Sequence, residues 1–288
     1  ALGGNPADAE LADMDADGDA DLVISLPAVN QIAILFNGGN DPSTGDWLGF
    51  SDGSIAEAVD SMPMGLALGD VEGDSAMDIA VACRDSDTVV VLENIAGSYA
   101  AASYTVDDHI EQEGVYAEPV DVAIGNFDGN NGVNDIAVAN SGDSTLVILA
   151  SATSRSQPLG NGGATSMDIG GTSVDPGDVN DDKDLDEIVM AGQPSGKVAV
   201  LKGQTALRSY DEIDYYDVGS SPEELVFGDL NGDGLGDIAT ADSITNTISI
   251  LLRAADGSYL PALSFGLGEE ESPRSLALGD YDMDGDLD

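Results

Sequence analysis

The stretch GDLNGDGLGDIATAD, residues 228–242, contains one copy of a motif that occurs six times, and this recurrence limits the fold more than any other feature of the chain. The copies read DMDADGDAD from Asp13, DVEGDSAMD from Asp70, NFDGNNGVND from Asn126, DVNDDKDLD from Asp178, DLNGDGLGD from Asp229 and DYDMDGDLD from Asp280. Their starts lie 57, 56, 52, 51 and 51 residues apart, so the chain is read as a repeat array.

The flanks repeat as well. A short apolar run precedes each motif: AELA, GLALG, DVAIG, the weaker TSVDPG, ELVFG and SLALG. A second follows five of the motifs: DLVISL, DIAVAC, DIAVAN, EIVMAG and DIATAD. After a turn-rich gap comes a third: QIAILFN, TVVVLEN, TLVILAS, KVAVLKG and TISILLR. A fourth, more polar strand is expected in WLGFSDG, SYAAASYTV and SYLPALSFG. Short Val-, Ile- and Ala-rich runs bounded by Gly, Asp, Asn or Ser have the chemistry of strands, and no amphipathic helix stands out.

Four short antiparallel strands in each repeat of roughly 50 residues describe the blade of a β-propeller. The second and third strands are apolar on both faces, as a blade between two neighbours requires. A solenoid of hairpins is the competing architecture. Five repeats are complete, and the sixth stops at Asp288. The expectation is an all-β chain with a single domain over residues 1–288: five four-stranded antiparallel blades plus the start of a sixth, cut short at the C-terminal end of a six- or seven-bladed ring.

The motif has the spacing D-x-[DN]-x-[DN]-G-x-x-D. Oxygens at positions 1, 3 and 5 converge when such a loop turns tightly, and a glycine at position 6 permits the bend; Gly18, Gly234 and Gly285 stand there. Position 7 varies between Asp19, Ala76, Asp184, Leu235 and Asp286, as expected of a residue contributing only its carbonyl. Position 9 is Asp21, Asp78, Asp186, Asp237 or Asp288. A hard cation with six or seven oxygen ligands fits this set, and Ca2+ fits best. Zinc is disfavoured because no His or Cys accompanies the carboxylates, and Mg2+ demands fewer protein ligands in a stricter octahedron. An EF-hand needs Glu at position 12, where these loops have Ile24, Val81, Val189 and Thr240. The expected ion therefore sits in a strand-to-strand hairpin.

The expected ligands are Asp13, Asp15, Asp17, Asp19 and Asp21 in the first loop and Asp70, Glu72, Asp74, Ala76 and Asp78 in the second. The third offers Asn126, Asp128, Asn130 and Asp135, the fourth Asp178, Asn180, Asp182, Asp184 and Asp186. The fifth offers Asp229, Asn231, Asp233, Leu235 and Asp237, the sixth Asp280, Asp282, Asp284, Asp286 and Asp288. Up to six Ca2+ are expected. The loops headed by Asp13, Asp178 and Asp280 are the most acidic and should bind most tightly. The loop at Asn126 starts with an amide and carries one extra residue, so its occupancy is the one in doubt. Lys183 takes the glycine slot of the fourth loop.

The 8 basic and 55 acidic residues give a formal net charge of -47. That excludes nucleic acid, whose phosphates need Lys and Arg, and an anionic membrane surface. The six motifs hold 24 of the 55 acids, so six divalent cations would leave a large excess, which reads as a solvated acidic surface. Cys83 stands alone in the apolar run IAVAC, which rules out an internal disulfide and reads as a small buried hydrophobe. No apolar run reaches membrane-spanning length.

The stretch GDLNGDGLGDIATAD…TISILLRAADGSY resembles the FG-GAP/VCBS repeat, the unit of the integrin alpha-subunit propeller and of many secreted bacterial proteins. VFGD at 226–229 resembles its FG element, and ADGSY at 255–259 its blade-ending segment. The resemblance implies calcium hairpins between the first and second strands on a lower face, with ligands meeting the upper face. The upper loops would be Pro27 to Gln31, Arg84 to Thr88, Ser141 to Thr145, Gln193 to Lys197 and Ser243 to Asn246.

Three function classes follow. The first is an extracellular, non-catalytic binding or adhesion module for a protein or glycan, within a longer chain or alone. Arg84, Trp47, Tyr215 and Tyr216 are its candidate contacts, although Trp47 also fits a packed fourth strand, the two tyrosines an outer strand, and Arg84 a surface pair with Asp85 or Asp87. The second is a structural subunit of a surface layer, filament or stalk. The third is a polysaccharide lyase or hydrolase, for which His109, beside Asp107 and Asp108, is the one histidine available as a base.

Overall fold

The computed structural model describes residues 4–50, 55–106, 116–127, 133–151, 159–167, 169–180, 187–202, 212–268, 271–281 and 287. Among them the chain is all-β, apart from single 3-10 turns at Pro27–Val29 and Arg84–Ser86. Among the described residues no helix is long and apolar enough to cross a membrane.

Among the described residues twenty strands form five four-stranded antiparallel sheets, each built from consecutive strands. The first holds β1 (Ala9–Ala12), β2 (Asp21–Leu26), β3 (Gln31–Leu35) and β4 (Ile55–Ala58). The second holds β5 (Pro63–Gly69), β6 (Asp78–Cys83), β7 (Thr88–Ile95) and β8 (Ser98–Thr105). The third holds β9 (Pro119–Gly125), β10 (Asp135–Asn140), β11 (Thr145–Ala150) and β12 (Gly160–Ser166). The fourth holds β13 (Gly170–Gly177), β14 (Glu187–Gln193), β15 (Lys197–Lys202) and β16 (Glu212–Asp217). The fifth holds β17 (Pro222–Gly228), β18 (Asp237–Asp242), β19 (Thr247–Leu251) and β20 (Leu263–Gly266).

The second strands do not alternate apolar with polar. They alternate large with small. In β6, Ile79, Val81 and Cys83 pack toward the first sheet, whereas Ala80 and Ala82 pack toward the third. In β10, Ile136 and Val138 face the second sheet while Ala137 and Ala139 face the fourth. A sheet covered on both sides must be apolar on both faces, and the size alternation lets bulky residues of one sheet meet small ones of the sheet before it. Ile79, Ile136, Ile188 and Ile238 take the same place in four successive sheets, all fully buried, each worth about 1.5–3 kcal/mol in transfer terms. Burial also raises the Cys83 thiol to about 12, so this cysteine packs as an inert hydrophobe.

The sheets follow one another through their first strands, with β1 against β5, β5 against β9, β9 against β13 and β13 against β17. Gly65 sits at one of these close approaches: a Cβ there would lie 2.3 Å from Asp121 Oδ1 and 2.7 Å from the Val120 carbonyl. Gly65→Ala is therefore expected to destabilise by about 1–3 kcal/mol through overpacking, read as a lower urea midpoint at an unchanged slope.

The outer sheets leave apolar faces open. Leu11, Leu22 and Leu35 are cross-strand neighbours on the free side of the first sheet, and Leu11 is 63% exposed. On the far side of the fifth sheet, Ile248 pairs with Phe265 and Ile250 with Leu263, which are 52% and 49% exposed at their outer members.

Two sequence expectations need correction. The first sheet takes its fourth strand from Ile55–Ala58, downstream of WLGFSDG. Trp47 instead lies on a hairpin extension held by bridges Asn37 to Phe50 and Asn40 to Trp47. It is 60% exposed, donates from Nε1 to Asn37 Oδ1 at 2.8 Å and meets Phe50 edge-on at 5.6 Å. It is not a core residue of a fourth strand. In the fifth sheet, β20 covers Leu263–Gly266, the end of the expected SYLPALSFG segment, while Tyr259 bridges back to Arg253.

Candidate metal centres

The first five acidic motifs lie between the first and second strands of their sheets, and the described loops at Asp13, Asp70 and Asp229 share one backbone plan. Two left-handed residues bend the turn: Ala16 and Gly18 in the first loop, Gly73 and Ser75 in the second, Gly232 and Gly234 in the fifth. The first aspartate gathers the backbone inside the bend. Asp13 accepts from the N–H groups of Asp17 at 3.1 Å and Gly18 at 2.9 Å. Asp70 accepts from Gly73, Asp74 and Ser75 at 2.6–2.9 Å. Asp229 accepts from Gly232, Asp233 and Gly234 at 2.8–3.1 Å. Burial acts against ionisation of Asp229, yet these N–H groups and that of Asn231 together hold its carboxyl below the usual range.

Positions 3 and 5 repeat the Asx-turn pattern. Asp15 and Asn231 each accept the N–H two residues on, at 3.2 and 2.9 Å. Asp17, Asp74 and Asp233 do the same for position 7 at 2.8–2.9 Å. The position 7 side chain is not needed: Asp19 points its Oδ2 at Gly39, where a Cβ would lie only 2.4 Å away.

The last aspartate has a second task that sequence spacing did not reveal. Asp21, Asp78, Asp135 and Asp237 open the second strands and are fully buried. Asp21, Asp78 and Asp237 take the position 2 N–H of their own loops on Oδ2, from Met14, Val71 and Leu230 at 2.8–3.2 Å. On Oδ1 these three and Asp135 take the N–H of the residue sixteen positions on: Asn37, Asn94, Ser151 and Arg253, at 2.7–2.9 Å. This carboxylate ties loop, second strand and third-strand exit together. Burial raises Asp78 to about 6 and also raises Asp237.

In the fourth loop this place belongs to Glu187, not Asp186. Glu187 is fully buried, opens β14 opposite Gly177, and accepts from Val179 N–H at 3.1 Å and from the Asn180 side chain. The fourth loop is thus as long as the third, where Asp135 lies opposite Gly125. The run DLDEIV held the signal, in that its glutamate directly precedes the apolar strand.

Among the described residues, the three carboxylates whose oxygens all lie within 4.8 Å of one another are Asp13, Asp15 and Asp21. Burial first, then the charges of Asp17, Asp21 and Asp13, raise Asp15, so this cluster is in electrostatic tension that a cation would relieve. Asn126 Oδ1, at the head of the third loop, is buried without a hydrogen-bond partner. Glu72 is raised to about 8 by burial and by sharing a hydrogen bond with Glu93. An all-oxygen donor set with an unpartnered acceptor at loop position 1 fits a hard cation. Asp178 is half-buried and Asp280 exposed. Asp128, Asn130, Asp182, Lys183, Asp184, Asp186, Asp282, Asp284, Asp286 and Asp288 lie outside the described residues, as does His109.

The opposite ends of the sheets are tied from one to the next. Asn30 accepts the Met62 N–H at 3.1 Å, Asp87 that of Glu118 at 2.9 Å and Asn246 that of Ser272 at 2.8 Å. All three acceptors are left-handed residues, as are the donors. Arg84 pairs loosely with Asp85 at 3.5 Å, a surface contact of small value. Tyr215 and Tyr216 are half-buried on β16, and Tyr216 stacks edge-on against Tyr259 at 5.3 Å.

Residues 229–288 match the FG-GAP-like repeat. No curated protein matches the chain in sequence. A periplasmic gluconolactonase of Pseudomonas aeruginosa aligns with a TM-score of 0.61 at 11% identity, over 92% of this chain and 71% of that one. A protein from Lactobacillus plantarum gives 0.58 at 16% identity, over 91% and 71%. BBS1N, crystallised in complex with ARL6DN, gives 0.56 at 11% identity, over 93% and 69%. Likeness at these identities establishes a propeller-like fold and nothing of activity.

Proposed function

We propose, with the FG-GAP-like repeat at residues 229–288 as the premise, that this chain is an extracellular, calcium-stabilised β-propeller module that binds a protein or glycan without catalysis. The observation that carries the calcium reading is the convergence of Asp13, Asp15 and Asp21 in a preformed hairpin. The same hairpin plan recurs at Asp70 and Asp229, so the cations would pin successive blades at one end. The other end presents loops held in register by the ties from Asn30, Asp87 and Asn246. Rigid loops lose little entropy on binding, which favours that end as the recognition face.

The apolar faces around Leu22 and Phe265 are the surfaces that one or two further blades would cover, giving a ring of six or seven. A net charge of -47 favours neutral or cationic partners over anionic ones.

Calcium titration followed calorimetrically tests the first part. Asp15→Asn should weaken one site about tenfold or more and leave the others loaded, because ligand charge count sets affinity in such loops. Identical isotherms for wild type and variant would remove the metal reading. Retention on a glycan array or by a protein partner, lost when Asp87 or Asn246 is replaced, supports the recognition face. Turnover of a sugar lactone, the substrate class of the Pseudomonas relative, would replace the binding reading with an enzymatic one. Self-assembly without any retained ligand would make the chain a structural subunit.

A further inference from the structure

The third strand of the first sheet does not turn straight into the fourth. In the second sheet Ala96 and Gly97 alone join β7 to β8, whereas β3 ends at Leu35 and β4 begins only at Ile55. Asn37 pairs with Phe50 and Asn40 with Trp47, so residues 37–50 form a hairpin beyond the end of β3. It is closed by backbone bonds of 2.8 Å from the N–H groups of Gly38, Leu48 and Asp41 to the carbonyls of Gly49, Gly39 and Asp46.

Asn37 fixes this hairpin to the first acidic loop. Its N–H donates to Asp21 Oδ1 at 2.7 Å, and its side-chain amide to the Ala20 carbonyl at 3.0 Å. Its Oδ1 accepts from the Gly39 N–H at 3.1 Å and from the Trp47 indole at 2.8 Å. The indole is thus held from two sides, by Asn37 and by the edge-on ring of Phe50 at 5.6 Å. With its one donor spent inside the hairpin, the indole has only its π surface and apolar edge left to offer. That surface lies in water, because Trp47 and its neighbour Leu48 are 60% and 59% exposed. A tryptophan held in place yet so exposed contributes little burial to the fold, and tryptophan is a residue type on which protein interfaces concentrate their binding energy.

The surrounding charge selects the partner. Asp41 and Asp46 lie opposite each other across the hairpin, next to the Asn40–Trp47 pair, and Asp19 of the acidic loop meets Gly39. Asp46 is exposed. Hydrogen bonds from the Ser43 hydroxyl, and then from the Ser43 N–H, hold Asp41 below the usual carboxylate range, so it stays ionised. Residues 36–50, FNGGNDPSTGDWLGF, contain no basic residue. Anionic glycans and membranes are repelled here, and a second copy of the chain would bring the same excess of acid. A guanidinium group suits the place: it is a planar cation that stacks on an indole face while its N–H groups reach carboxylates.

We propose that this hairpin is a docking surface for an arginine-bearing segment of a protein partner, with Trp47 as the stacking platform and Asp46 as the carboxylate that takes the guanidinium. Asn37 contributes by holding the indole in place before the partner arrives, which lowers the entropy lost on binding. Asn30 precedes β3 and Asn37 follows it, so this surface lies at the opposite end of the sheet from the proposed recognition face and stands whether or not those loops bind a ligand.

The chain has a single tryptophan, so the indole N–H resonance of the whole chain reports the site directly. It is followed by NMR in saturating calcium at roughly 0.15 M salt, where diffuse attraction to the acidic surface is screened beyond about 8 Å. The probe is an acetylated glycine–arginine–glycine amide. The control replaces arginine by citrulline, which keeps the shape and removes the charge. The arginine peptide should shift the indole resonance saturably, and the citrulline peptide should bind about tenfold more weakly. Asp46→Asn, at an exposed position, should weaken the arginine peptide about two- to fivefold without changing the melting temperature. An indole resonance that ignores the arginine peptide, or answers both peptides equally, overturns the proposal, as does an affinity indifferent to Asp46→Asn. A stronger response to maltose overturns it in favour of a neutral glycan, and a shift that grows with protein concentration alone overturns it in favour of a contact between copies.

Discussion

Removal of calcium with EGTA at low ionic strength should lower the melting temperature of this chain by about 10 °C or more. A ligand that binds only the folded state stabilises it by about 2.7 kcal/mol per site when present at a hundred times its dissociation constant. The hairpins at Asp13, Asp70 and Asp229 are candidate sites on separate sheets, so the effects of ions bound there should add. At roughly 2–4 °C per kcal/mol for a chain of this size, even two occupied sites reach that figure. The effect has an electrostatic component as well, because the Asp13, Asp15 and Asp21 oxygens lie within 4.8 Å of one another and their like charges repel unless a cation offsets them. Scanning calorimetry with EGTA and with excess calcium checks the prediction. Magnesium should restore only part of the loss, since its tighter octahedron suits these loops poorly. A melting temperature indifferent to EGTA removes structural calcium from the account.

The second large effect belongs to the buried aspartate that closes each hairpin. Asp78→Ala should destabilise by about 3–5 kcal/mol whether calcium is present or not. The substitution leaves the N–H groups of Val71 and Asn94 without acceptors in a buried site, at about 1–3 kcal/mol each, and opens a small cavity. Asp78→Asn is the informative partner. It keeps one acceptor oxygen and removes a charge that burial already disfavours, so it should cost about half as much. Urea unfolding of both variants in EGTA isolates this from any metal contribution. Equal and small losses, under about 1 kcal/mol for both, would mean the two N–H groups find water or another acceptor when the carboxylate is gone.

Much of the fold was legible because the repeat is regular and its strands are short. The runs DIAVAC and DIAVAN announce strands buried on both sides, and β6 and β10 have no exposed residue. The hairpin loops were legible from oxygen spacing, and the bends at Gly18 and Gly234 fall where the motif places them. Ala16 and Ser75 were not foreseeable as left-handed residues, since neither type favours that region; the carboxylates of Asp13 and Asp70, by gathering the turn N–H groups, hold the loops in that shape. Trp47 misled because an aromatic in a GDWLGF context fits a strand as well as a loop extension. The choice was made by Asn37, ten residues away, which accepts the indole N–H. Glu187 was missed for a related reason: counting nine positions lands on Asp186, whereas pairing with Gly177 fixes the position from across the ladder.

By itself, the sequence determined the repeat, the strand chemistry and the oxygen-rich turns, because those depend on residues close along the chain. Only the tertiary structure decided which of these carboxylates also tie strands together. Asp21, Asp78 and Asp237 accept N–H groups sixteen residues downstream, and Asp8, Asp121 and Glu224 accept the N–H groups of Leu66, Val174 and Leu276 in the following repeat. A carboxylate's role follows from the donors, the burial and the other charges around it, and stacked sheets bring those from distant parts of the chain.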